Sequence, residues 1–236
     1  MIKNFIKLFN LYYKNLFINK LTSTSDESGV FKYGYQEYVG GEYDKIGKAL
    51  SYALINNLKL KKNDIFLDIG CGSLRVGKHI IEYLDKNRYL GLEPEKKLVE
   101  DAINFENINL EKNPQFVHNY SFDFKFKQTP NYVFANSVFT HLNGKDINLC
   151  FKKLDYFTNE DVVFFATFST SPINLFMPFK SHSHRSFNYT FKQIKEFGQK
   201  NNFRFHKYMG NEWGHPRNQH LFLFAKSEYI YNKYSS

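Results

Sequence analysis

One stretch, Phe66-Leu67-Asp68-Ile69-Gly70-Cys71-Gly72-Ser73-Leu74-Arg75-Val76, constrains the fold of this chain more than any other. The apolar run from Ile65 to Leu67 suits a strand buried on both faces, and Leu74, Val76, Ile80, Ile81 and Leu84 then recur at helical spacing. Only a tight turn fits between them. Gly70 and Gly72 permit positive φ in that turn and remove the Cβ atoms that would hold the backbone away from a bound molecule. A strand, a glycine turn and a helix in succession begin an α/β sheet.

A second short apolar run, Tyr89-Leu90-Gly91-Leu92, ends in Glu93-Pro94, with the carboxylate 25 residues after Asp68. An acid at that strand end can accept two hydrogen bonds from a ribose diol, so both features suit an adenosine-containing cofactor. A G-x-G-x-x-G pattern read from Gly70 places Arg75 where the third glycine is needed for close helix packing. That weakens a nicotinamide or flavin reading. S-adenosylmethionine has no pyrophosphate to seat on the helix N-terminus and tolerates the departure.

Leu67-Asp68-Ile69-Gly70-Cys71-Gly72-Ser73 resembles the first motif of class I S-adenosylmethionine-dependent methyltransferases. Asn131-Tyr132-Val133-Phe134-Ala135-Asn136-Ser137-Val138-Phe139-Thr140-His141-Leu142 resembles their fourth-strand segment, and the resemblance covers roughly residues 40–226. It implies a Rossmann-like fold with a seven-stranded, mostly parallel sheet whose last strand is antiparallel, and S-adenosyl-L-methionine as cofactor. On that pattern Gly70, Cys71, Gly72, Ser73 and Pro94 are cofactor-binding, Asp68 takes part in holding the cofactor's amino-acid end, and Glu93 meets the ribose. Asn119 and Tyr120 lie where this fold holds the adenine, and Ser137 falls beside the sulfonium.

Strands are expected near 64–69, 88–92, 115–118, 131–136, 161–168, 203–208 and 220–226, with helices after the first five. In an open α/β sheet ligands gather beyond the carboxyl ends of the strands. That rule marks Ser181-His182-Ser183-His184-Arg185-Ser186, in the long loop after the fifth strand, as substrate-facing. It also marks Trp213, His215, Arg217 and Gln219, between the sixth and seventh strands. Tyr43, at the start of a helix expected over 42–60, is a further candidate for closing the site. His215, His182 and His141 are all candidates for a general base, and the sequence does not choose between them. His182 and His184, at i and i+2, lack the further ligands a metal needs, so no metal is expected.

The formal charge of +9 invites a nucleic-acid reading, but only five basic residues are arginine and the lysines are dispersed along the chain. A nucleic-acid partner is not expected. Cys71 and Cys150 provide neither a disulfide framework nor a metal cluster, which suits a reducing cytoplasm. Length and patterning suggest one catalytic domain, residues 30–236, after an N-terminal helix and linker, residues 1–29. Ile2, Phe5, Ile6, Phe9, Tyr13, Leu16 and Phe17 form one stripe within residues 1–21. That stripe fits packing on the domain or on a second copy in a homodimer, or peripheral contact with the inner membrane face.

Arg185 and Arg217, with Lys180, suit an anionic acceptor, because guanidinium groups grip oxyanions with paired hydrogen bonds. The Trp213-Gly214-His215-Pro216-Arg217-Asn218-Gln219 segment resembles small bacterial methyltransferases encoded among capsule and lipopolysaccharide genes. The combined expectation is O-methylation of a sugar, sugar nucleotide or phosphorylated precursor. Methylation of RNA or protein, and non-catalytic cofactor binding, are the alternatives.

Overall fold

The computed structural model describes residues 34–174, 177–217 and 219–235. The expected N-terminal helix and linker, residues 1–29, lie outside the described residues. A short helix α1 (Tyr35–Tyr38) precedes α2 (Tyr43–Tyr52), which continues as a π-helical turn over Ala53–Asn57. There follow β1 (Phe66–Ile69), α3 (Gly77–Tyr83), β2 (Tyr89–Leu92), α4 (Lys96–Phe105), β3 (Gln115–Val117) and β4 (Tyr132–Ala135). The chain ends with α5 (Gly144–Phe157), β5 (Val163–Phe168), α6 (Phe191–Gln199), β6 (Phe205–Gly210), β7 (His220–Ala225) and α7 (Glu228–Ser235).

The seven strands form one sheet in the order β3-β2-β1-β4-β5-β7-β6. The β1–β2, β1–β4, β2–β3 and β4–β5 pairs are parallel, while β7 runs antiparallel to both β5 and β6. This is the α/β arrangement expected from the sequence. The chain reverses its march across the sheet between β1 and β4, and that switch point opens a crevice at the strands' carboxyl ends.

Continuous apolar runs are what a sheet covered on both faces requires, because successive side chains point to opposite sides. Phe66, Tyr132, Phe134, Val163 and Phe165 face one core, shared with Ile46, Leu50, Leu54, Ile80 and Ile81. Leu67, Ile69, Val133, Phe164 and Ala166 face the other, shared with Phe151, Leu154, Ile194 and Phe197. Full burial of each such side chain contributes about 1.5–3 kcal/mol. The register is therefore strongly held, since a one-residue slip would exchange the faces.

Two elements differ from expectation. Residues 118–131 contain no helix after β3, because Asn119 Oδ1 accepts from the backbone N–H of Ser121 at 3.1 Å and Asp123 at 3.0 Å. That side chain offers the backbone a turn in place of a helical ladder. The loop's Phe124 then stacks on Phe157, with ring centroids 5.4 Å apart. The terminal helix α7 is an addition to the expected elements; Ile230 and Tyr234 bury its inner face.

Candidate functional site

A cavity of about 960 Å³ opens at the switch point, within the size range of small-molecule sites. Its floor is the glycine turn, with Gly70 at φ 69° and Gly72 at φ 55°. Asp68, Gly70, Cys71, Gly72, Glu93 and Pro94 all line it. Asn119 and Tyr120 form one end, and Ser137, His141, His182, Arg217 and Gln219 line the remainder. These residues, all singled out in the sequence, thus meet at one surface.

Both floor carboxylates are almost sealed from solvent. Glu93 Oε2 accepts from Gly72 N–H at 2.9 Å and Oε1 from Glu95 N–H at 3.0 Å. Burial pushes its pKa up to about 7, opposed by those two amides and reinforced by the charges of Glu95 and Asp68. Asp68 Oδ2 accepts from the Tyr89 hydroxyl at 2.8 Å, yet burial also lifts its pKa to about 7. Two acids held this way are poised for donors that arrive with a ligand. The Cys71 thiol, pushed well up by burial and by both acids, stays protonated.

Beyond β4, Ser137 adopts a left-handed conformation, φ 59°, with its N–H donated to Thr167 Oγ1 at 2.7 Å. Its hydroxyl lies 2.7 Å from Gln219 Nε2, which ties the β4 exit to the β6–β7 connection. Non-glycine residues with such backbones gather at functional sites. The adjacent Asn136 also lines the cavity, and its buried Oδ1 has no hydrogen-bond partner among the described residues.

The loop after β5 is tied to the segment after β4. Phe187 N–H reaches Thr140 O at 2.8 Å, His182 N–H reaches His141 O at 3.2 Å, and Asn143 N–H reaches Ser181 Oγ at 2.9 Å. These bonds separate the three histidines by chemistry. His141 Nδ1 lies 2.5 Å from the carbonyl of Arg185, which can only accept, so Nδ1 carries the proton and Nε2 the lone pair. His182 Nδ1 instead accepts from His184 N–H at 3.1 Å, and His215 Nδ1 accepts from Arg217 N–H at 3.0 Å. Both therefore carry the neutral ring's proton on Nε2.

Six expected residues do not line the cavity. His215 is buried, and desolvation with the charges of Arg75 and Arg217 lowers its pKa to about 4. Its neighbour Trp213 packs edge-on against Phe134, ring centroids 6.2 Å apart, and belongs to the core. Tyr43 lies under the glycine turn, its hydroxyl donating to Ser73 O at 2.5 Å, and supports the loop from beneath. Ser73 itself is fully buried. Arg185 turns inward, bonded to Lys180 O and set 5.8 Å from the Phe179 ring centroid. His184 is exposed and packs edge-on against Tyr38.

Sequence reasoning missed a strap. Tyr38, Val39 and Gly40 line the cavity from above, and the Tyr38 hydroxyl donates to Ser183 Oγ at 3.1 Å. α1 is anchored by Tyr35 and Gln36, which donate to Glu106 at 2.7 and 2.6 Å. Arg75 was also missed as a site residue, although it sits in the stretch that holds the glycine turn. It lines the cavity, and its Nη1 donates to Val39 O at 2.9 Å and Gly41 O at 3.3 Å. Among the described residues no three His, Cys, Asp or Glu side chains converge as a metal site.

Solved structures share this fold, an S-adenosylmethionine-dependent methyltransferase from Clostridium acetobutylicum among them. Magnesium protoporphyrin IX methyltransferase (ChlM) from Synechocystis PCC 6803, crystallised with S-adenosylmethionine bound, superposes with a TM-score of 0.58 at 12% identity. That match covers 87% of this chain and 99% of ChlM. PH0226 from Pyrococcus horikoshii OT3 gives 0.60 at 15% identity over 87% of this chain and all of its own. DesVI from Streptomyces venezuelae gives 0.59 at 11% identity, covering 86% and 100%. No protein-family model matches the chain.

Proposed function

We propose that this chain is an S-adenosyl-L-methionine-dependent methyltransferase acting on the hydroxyl of a polar, anionic acceptor. The observation that carries the reading is one continuous cavity, running from the glycine turn and Glu93 to His141 and the polar loop. The acceptor end is lined by Asn143, Lys145, Asp146, Lys180, Ser181 and His182. Such a wall suits a hydroxyl-rich molecule with a negative charge better than an apolar ring.

The cofactor fits the residues present. The positive-φ turn lets backbone approach closely, Glu93 offers carboxylate lone pairs to a ribose diol, and Asp68 faces a cationic amino group. The unpartnered Asn136 Oδ1 supplies one more acceptor. When bound, the cofactor contributes an electrophilic methyl group on a sulfonium. The protein's task is then mainly to align the acceptor, which can lower the barrier by about 7–11 kcal/mol.

An alcohol must lose its proton as it attacks. The tautomer fixed by the Arg185 carbonyl favours His141 over His182 and His215 as the group that takes it. Arg217 and Lys180 remain the candidates for gripping the acceptor's charge, whereas Arg185 is turned away from the cavity. A sugar, sugar nucleotide or phosphorylated precursor of a surface polysaccharide meets these requirements. Placement in capsule or lipopolysaccharide assembly rests on the sequence resemblance and is an analogy.

The test is transfer of labelled methyl from S-adenosylmethionine into cell extract fractionated by polarity, followed by mass measurement of the product. Label in an anionic, hydroxyl-rich fraction supports the reading. Label confined to RNA, to protein or to apolar fractions overturns the acceptor class, and no transfer to any fraction favours a binding protein.

A further inference from the structure

We propose that Arg75 and Arg217 form a two-guanidinium site for a single carboxylate or phosphate group at the strap side of the cavity. The inference deepens the proposed reading by naming the group that recognises charge, and it adds Arg75, which the sequence did not suggest.

The two side chains converge on one short segment. Arg75 Nη1 is held by the carbonyls of Val39 and Gly41, and Arg217 Nη2 by the carbonyl between them, that of Gly40. Both residues line the cavity. The strap approaches closely: Gly40 has φ 97°, a conformation that favours glycine, and a Cβ there would lie 2.8 Å from Arg217 Nη1, which would have to shift.

Arg75 is 8% exposed, and no carboxylate pairs with it or with Arg217 among the described residues. Of the acids on the strap, Glu42 pairs with Lys45 and only its longer-range charge reaches Arg217, while Glu37 makes no ion pair among the described residues. A buried guanidinium without an anion is costly, and a guanidinium presents five N–H donors. Within the described residues Arg75 engages only Nη1, so Nε and Nη2 are left for the cavity.

The third member of the cluster is His215, 4% exposed, with a buried Nε2 that has no partner among the described residues. Burial and the two arginines keep its ring neutral, so the positive charge is concentrated on the two guanidiniums. Their shared geometry suits a planar or tetrahedral oxyanion gripped from two sides.

Two molecules can bring that anion: the cofactor, through the carboxylate of its amino-acid end, or the methyl acceptor. The experiment separates them, using quenching of Trp213, the sole tryptophan, whose ring lies 5.5 Å from that of His215. Inorganic phosphate is titrated into wild type, Arg75→Gln, Arg217→Gln and the charge-conserving Arg75→Lys. Each is tested alone, saturated with 5′-methylthioadenosine, which lacks the amino-acid end, and saturated with S-adenosylhomocysteine.

We expect phosphate to bind wild type and the methylthioadenosine complex, with affinity falling roughly tenfold or more in either glutamine variant and partly restored in Arg75→Lys. Exclusion of phosphate by S-adenosylhomocysteine in wild type assigns the site to the cofactor's carboxylate; persistence assigns it to the acceptor. Equal phosphate affinity in wild type and both glutamine variants, or none in wild type, overturns the anion site. Failure of methylthioadenosine to bind wild type removes the nucleoside reading, while the titration without nucleoside still decides the anion site. Near-ultraviolet circular dichroism identifies any variant that has lost its fold.

Discussion

His141 Nδ1 lies 2.5 Å from the backbone carbonyl of Arg185, a contact that joins the segment after β4 to the loop after β5. A carbonyl cannot donate, so this single contact sets the tautomer and turns the ring's basic nitrogen to Nε2. The guanidinium of Arg185, bonded to Lys180 O, acts as a structural support that holds the carbonyl in place. On this view Arg185 is a positioning residue, and His141 is the group that meets the acceptor's hydroxyl.

Replacing His141 by Ala should lower kcat by about 10²- to 10⁴-fold, the usual contribution of a general base. Affinity for S-adenosylhomocysteine should stay unchanged, because His141 follows β4 and the proposed function assigns the nucleoside's hydroxyls to Glu93. His215→Gln alters a buried neighbour of the Arg75–Arg217 pair, so it can raise KM for an anionic acceptor but should leave kcat within a few-fold of wild type. Steady-state kinetics with the acceptor from the labelling experiment, paired with calorimetry, checks the split; a large kcat loss in His215→Gln and none in His141→Ala would reverse the assignment.

The floor acids predict opposite pH trends for stability and binding. Asp68 and Glu93 are raised from ordinary values of 3.8 and 4.5 to about 7. The folded protein thus holds these protons more tightly than the unfolded chain. This contribution to stability is complete below the ordinary values and is lost as pH rises through 7. The melting temperature of the ligand-free protein should therefore fall between pH 6 and pH 8 from this source. Ribose hydroxyls and an ammonium group are donors and want both carboxylates ionised, so S-adenosylhomocysteine should bind more tightly at pH 8 and release protons near pH 6.5. Calorimetry in buffers of different ionisation heat measures that release, and proton uptake would contradict the assignment.

Much of this was legible before the structure. Leu67, Asp68 and Ile69 announce a doubly covered strand by composition alone, and Gly70 and Gly72 announce the turn by what they lack. Placement at a strand's carboxyl end brought Glu93, Ser137, His141 and Gln219 to the cavity. The same rule misplaced Trp213, His215 and Arg185, because it reads chain position and not the direction of a side chain. Trp213 went to the core once the connection before β7 pressed onto the helix: Gly214 has room for no Cβ, which would lie 2.9 Å from that of Ala53. The strap, residues 38–40, precedes the first strand, where the strand-end rule says nothing. Its place over the site depends on long-range bonds from Tyr35 and Gln36 to Glu106, which no local pattern encodes.

Gly70→Ala tests the floor of the site. The new Cβ would lie 2.5 Å from Val138 Cγ2, on a residue with φ 69°. A left-handed backbone costs about 1–2 kcal/mol, and overpacking typically adds about 1–3 kcal/mol. Each kcal/mol lowers the melting temperature of a domain this size by about 2–4 °C. Adding Val138→Ala should recover the packing part and leave the backbone part. Differential scanning calorimetry of the single and double variants checks this; a single variant as stable as wild type would mean that the turn has another conformation.

A formal charge of +9 keeps nucleic acid in view as an acceptor. Lys78, Lys97, Lys153 and Lys226 are paired with acids, which removes part of that charge from any partner's reach. The cavity wall also carries Glu95 and Asp146, which would repel a phosphate backbone. A small acceptor with one charged group touches few of the remaining cations, so its kcat/KM should fall by less than about tenfold between 50 and 200 mM salt. A protein that neutralises 6–10 backbone phosphates loses about 10³- to 10⁵-fold in affinity over that range. Initial rates at saturating S-adenosylmethionine across the titration decide between them, and a fall of the second size would make RNA the acceptor and the basic surface its footprint.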